Sequence, residues 1–131
     1  MVHSFDPGAL LSQLYVLPGD VKVRLRLTQR RDERAIRTLL SRRVGGQPDE
    51  FEVLRVMRFD PQRLAICATT LLAGVETLVG VGTIRLDPPR PHESPEPELL
   101  LVDERIGHSL EQLLRGALCG RAEAIARDRA A

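Results

Sequence analysis

The chain has 131 residues with a formal net charge of +1, 43% hydrophobic and 28% charged side chains, which is the size and balance of one globular domain rather than of a disordered or membrane-embedded chain. Near-neutral charge supplies no general field for nucleic acid, and 3% aromatics with one tyrosine and no tryptophan leave little for base stacking. No nucleic-acid partner is expected.

Residues 1–20 read as an N-terminal extension packed on a domain spanning 21–131. Asp6, Pro7 and Gly8, and again Pro18, Gly19 and Asp20, are turn formers. The apolar piece between them, residues 9–16, reads either as a helical turn or as an extended arm. The start has neither the basic residues nor the apolar run of a secretory signal. Apolar stretches such as 64–75 are too short for a bilayer and are broken by Thr69, Thr70 and Gly74. A cytoplasmic chain without membrane contact is expected, and Cys67 and Cys119, each in an apolar pattern, should be buried and reduced.

Residues 21–27 alternate apolar and basic side chains at the period of a half-buried strand. Ala35, Ile36, Leu39, Leu40 and Val44 then recur at helical spacing until Gly45 and Gly46 stop the pattern. The arginines around this stripe (30, 31, 34, 37, 42 and 43) form a solvated outer face, interrupted by Asp32 and Glu33. Residues 48–59 open with a proline and acids, as helices do, yet 51–59 is rich in strand formers. A helix is expected there, with a strand as competitor.

Residues 64–72 and 76–86 form two central strands of a hairpin with a short loop containing Gly74. Gly80 and Gly82 in the second strand imply a bulge or a close backbone approach. Residues 87–98 hold five prolines and read as an exposed connecting loop. A short apolar strand over 99–102 follows, then a turn over 103–109. A long helix carries Leu110, Leu113, Leu114, Ala117, Leu118 and Ile125 on one face. Ser109 to Gln112 has the form of a capping box, with Ser109 as N-cap and Glu111 in the first turn.

This order, with the phrases Glu76-Thr77-Leu78-Val79-Gly80-Val81-Gly82-Thr83-Ile84-Arg85 and Leu99-Leu100-Leu101-Val102-Asp103-Glu104-Arg105, resembles the GNAT N-acetyltransferase superfamily over residues 21–127. The resemblance implies an α/β (α+β) fold: a mixed, mostly antiparallel sheet flanked by helices, here ending after the helix that follows the cofactor-loop strand. It implies an acyltransferase using acetyl-CoA or another acyl-CoA. The strand end at Leu101 and Val102, with the turn Arg105, Gly107, His108 and Ser109, would hold the cofactor. In the family this loop reads Gln/Arg-x-x-Gly-x-Gly/Ala, and free amides at the helix start bind pyrophosphate. His108 and Leu110 depart from that pattern, standing where a glycine or small residue is expected.

By position, Glu98 is the candidate base toward a small-molecule or protein amine acceptor. The tyrosine general acid usual in the family has no counterpart in the matching region, since Tyr15 lies in the extension. The alternative is a non-catalytic module of the same shape that forms homo-oligomers through its exposed sheet edge. The scattered histidines 3, 92 and 108 offer no metal site.

Overall fold

The computed structural model describes residues 14–57, 62–86, 96–101 and 107–130, apart from the side chains of Val44, Arg55 and Ala130. Five strands form one sheet in the order β1-β2-β3-β4-β5, and every pairing is antiparallel. They are β1 (Leu14–Leu17), β2 (Val21–Leu27), β3 (Arg63–Leu72), β4 (Val75–Arg85) and β5 (Glu98–Leu101). Helices α1 (Glu33–Val44) and α2 (Glu50–Met57) fall between β2 and β3, and α3 (Gly107–Ala130) follows β5. The mixed α+β architecture expected from the sequence is present.

The alternation in β2 divides the core into two layers. Val23 and Leu25 turn toward α3, joining Leu64, Ile66, Ile84, Leu110, Leu114 and Leu118. The opposite face, with Cys67, Leu78, Val81 and Leu100, is covered by Ile36, Leu39 and Leu40 of α1 and by Val53 and Val56 of α2. An antiparallel sheet covered on both faces loses its polar side, which is why β3 and β4 read as nearly continuous apolar runs.

Residues 14–17 form a strand that pairs with β2 (Leu17 opposite Val21), so the extended alternative holds there and the sheet begins inside the segment read as an extension. Residues 1–13 lie outside the described residues. Helix is also the outcome for Glu50–Met57, with the Asp49 carboxylate accepting the Phe51 amide proton at 2.9 Å. That local bond and the burial of Val53 and Val56 outweigh the strand propensity. The proline-rich connection expected over 87–98 falls mostly outside the described residues.

Helix α1 stops where Gly45 takes φ 74° and donates its amide to the Ser41 carbonyl. The β3–β4 hairpin turns on Ala73 and Gly74, both at positive φ, the pair of left-handed residues that a two-residue turn matching strand twist requires.

Both expectations for the β4 glycines are met. Ala68 pairs with Gly80 but Thr69 pairs with Leu78, so Val79 is an extra, bulged residue turned into the α3 layer. Gly80 and Gly82 lie directly beneath α3. A Cβ on Gly80 would sit 3.1 Å from Leu114 Cδ1, and one on Gly82 would sit 2.6 Å from Leu118 Cδ1. The missing side chains let the helix approach the sheet.

Candidate functional site

The described candidate cofactor residues, Leu101, Gly107, His108 and Ser109, lie where β5 ends and α3 begins. Leu101 ends β5 opposite Gly80 and packs into the α3 layer. Val102 and Arg105 lie outside the described residues. Gly107, His108 and Ser109 are not a turn but the first three residues of α3. The stripe Gly107, Leu110, Leu114, Leu118 recurs at i, i+3, i+7 and i+11, so extending the helix back to Gly107 continues its buried face under Leu101.

Two expectations change with that boundary. Ser109 is inside the helix and is not its N-cap, so the capping box read from residues 109–112 does not mark the helix start. Glu111 is displaced from the first turn, which contains no acid. It reaches down the helix to Arg115 at 3.3 Å instead. The first turn of α3 thus contains no carboxylate of its own, and the amides of a helix start carry positive partial charge.

Glu98 stands at the other end of β5, three residues and roughly 10 Å from Leu101 at strand rise, exposed and opposite Thr83 of β4. It borders a cleft between the sheet and the α1–α2 pair. The cleft has a volume of about 30 Å³, room for about two waters. Leu40 and Val56 form its apolar walls, Thr83 lies in its floor, and Arg43, Glu52 and Glu98 supply charge.

One set of charges ties these two helices together. Arg37 donates to both oxygens of Glu50 at 2.7 and 2.8 Å and to Glu33 at 3.3 Å, bridging α1 to α2. Arg37 holds the Glu50 carboxyl below its usual range. Arg43 and Glu52 make no hydrogen bond or ion pair among the described residues.

A further polar cluster on the same sheet face has no signature in the sequence. Arg26 of β2 forks onto Asp32, Nη1 to Oδ2 at 2.8 Å and Nη2 to Oδ1 at 2.7 Å, while its Nε donates to Glu76 at 2.8 Å. Asp32 is 6% exposed and also accepts the Gln29 amide proton at 2.7 Å, closing the turn that starts α1. Burial raises the Asp32 carboxyl, but the Arg26 and Gln29 hydrogen bonds outweigh it and leave it below the usual value. Asp32 looks like one more surface acid in an arginine-rich stretch. Its role depends on Arg26 and Glu76, which are far apart in the chain.

Cys67, beside this cluster, has its thiol pushed up to about 12 by burial, so the thiolate needed for covalent catalysis is strongly disfavoured. Cys119 packs in the opposite layer, and both cysteines are free. Tyr15 is on β1, four strand spacings or roughly 19 Å from β5, which removes it from proton transfer at Glu98. Among the described residues no group of acids, cysteines and histidines is arranged to hold a metal ion, and no helix is long and apolar enough to cross a membrane.

The chain is similar in structure to a solved structure, the GNAT domain of S. lividans PAT. The match covers 86% of this chain and 74% of that one, with a TM-score of 0.61 and 15% sequence identity. The fold is GNAT-like. No family model matches the chain, and no curated protein matches it. Within the GNAT-like frame, the first turn of α3 and the Glu98 cleft occupy opposite ends of β5.

Proposed function

We propose that this chain is a GNAT-type N-acyltransferase that uses acetyl-CoA or another acyl-CoA. The observation that carries the reading is the junction of β5 and α3, where a helix start without an acidic residue stands at the end of the strand whose beginning carries Glu98. The pyrophosphate would be held by the amides of Gly107, His108 and Ser109, and Arg105 would add a cation. Bound acyl-CoA would supply the acyl group as a thioester.

Glu98 is the acceptor for the proton that the amine must lose to become nucleophilic. The group released is a thiol, which departs as a thiolate far more readily than an amine does as an amide anion, so it makes a modest demand on a general acid. That accommodates the distant position of Tyr15. Thermal unfolding tests the reading. Acetyl-CoA at about a hundred times its Kd stabilises by about 2.7 kcal/mol, a rise in Tm that Arg105→Ala should shrink. No rise at millimolar acetyl-CoA refutes the proposal.

A second reading rests on β5 being the last strand in the sheet order among the described residues. An edge strand is a template for pairing, and this favours a non-catalytic module joined to a second copy through β5. Light scattering over a wide concentration range checks it, and a monomer throughout counts against it.

A further inference from the structure

The cleft beside Glu98 contains two opposite charges, Arg43 and Glu52, that the fold leaves open. Arg37, Glu33 and Glu50 form the ion-pair network that ties α1 to α2. Arg43 and Glu52 belong to the same two helices and border the same cleft, yet neither pairs with the other or with another group among the described residues. They flank an apolar wall made by Leu40 and Val56, and Glu98 adds a second carboxylate.

A cation and an anion bordering one concavity complement a ligand that carries both charges. We infer that the cleft takes the head group of a free α-amino acid, its carboxylate at Arg43 and its ammonium at Glu52 and Glu98. The cleft is small, about 30 Å³, so only the charged ends of the head group would enter it and the remainder of the molecule would stay outside. A guanidinium is suited to a carboxylate because it can donate two parallel hydrogen bonds. A lysine side chain on a polypeptide would satisfy the acids and leave Arg43 without a partner, so it is the poorer fit.

This inference rests on the acyltransferase reading, in which the amine must lie at β5. Glu98 then removes a proton from the ammonium, the nitrogen forms a bond to the acyl carbon, and the carbon–sulfur bond breaks. The sulfur leaves with the electron pair and takes up, through solvent, the second proton that the nitrogen gives up as the amide forms, while Glu98 returns its proton to solvent. The products are an N-acyl amino acid and the free thiol.

Calorimetric titration of the full chain with the standard free amino acids and their C-terminal amides, with and without coenzyme A, tests the assignment. At least one free amino acid should bind, and its amide should bind about tenfold more weakly or worse, the loss expected for one charge-assisted contact. Arg43→Ala should weaken the free amino acid to the same extent without changing the circular dichroism spectrum. Arg42→Ala, on the neighbouring exposed position, should bind like the unmodified chain.

Equal binding of acid and amide overturns the inference, as does an Arg43→Ala variant with undiminished affinity. Absence of binding by every free amino acid, while acetyl-CoA still raises Tm, also overturns it and leaves the acyltransferase reading standing. Amino-acid binding with no effect of acetyl-CoA has the reverse meaning: the head-group site stands and the acyltransferase reading falls.

Discussion

Gly82→Ala isolates the contact between α3 and the sheet. The new methyl would lie 2.6 Å from Leu118 Cδ1 and 2.7 Å from Leu99 Cδ2, whereas carbon atoms in good contact are about 3.5–4.0 Å apart. Leu118 is fully buried, so the side chains must shift by about 1 Å inside a packed layer. Overpacking of this kind costs about 1–3 kcal/mol. Replacing glycine in a strand returns about 0.5–1 kcal/mol of backbone entropy. A net loss of about 1.5 kcal/mol follows, or about 6 °C in Tm for a chain of this size.

Gly116→Ala provides the contrast. Gly116 is exposed in the middle of α3 with nothing within 4 Å of an added Cβ, so helix propensity alone acts and should add about 0.5–1 kcal/mol. Circular dichroism melts and urea titrations would measure both. A second arm uses Leu118→Ala, whose cavity gives the methyl added at position 82 somewhere to go, so the double variant should be less damaged than the sum of its parts by about 1 kcal/mol. If Gly82→Ala is as stable as the unmodified chain, or the two substitutions add without coupling, the close approach of α3 at Gly82 is wrong.

Asp32→Asn removes the anion from a part-buried fork while Arg26 keeps Glu76, so the loss should be about 1–3 kcal/mol, measurable as a lower urea midpoint. The same carboxyl gives a pH dependence. Its folded pKa is lowered, so the associated stability is present above the unfolded value near 3.9 and is lost as pH falls through the lower folded value. Acid titration of Asp32→Asn should therefore show a shallower loss over that interval. For the thiols, Cys119 is half-buried and Cys67 fully buried, and labelling of the folded chain with a maleimide should modify Cys119 first. Faster modification of Cys67, checked by peptide mass, would contradict its burial.

Local chemistry makes much of the fold legible. The period-two pattern of Val21–Leu27, the glycine stop after α1 and the paired runs of β3 and β4 each carry their own signal, and the structure follows them closely. Leu14–Leu17 is harder to read because four residues hardly establish a period, and its extended form depends on pairing with β2. At the start of α3 a local capping pattern at Ser109 competes with burial of Gly107 beneath Leu101, and burial prevails. At the site, Glu98 is legible from its position before an apolar strand. Arg43 and Glu52 are not, because each resembles any solvated charge until the two helices bring them to one cleft.

The strand order also bears on how the chain finds its fold. β1–β2 and β3–β4 are hairpins closed by short turns, whereas β2 meets β3 only after everything from Thr28 to Gln62 has been looped out. Two local units can form early at small entropic cost, and joining them is the slow step, since non-local contacts must overcome loop closure first. Helices α1 and α2 lie inside that loop, so their packing against Cys67 and Val81 helps draw it shut. The barrier should therefore be most sensitive at the β2–β3 seam. Truncating Leu25 or Ile66 should slow refolding, while truncation of Leu14 at the outer edge should mainly hasten unfolding.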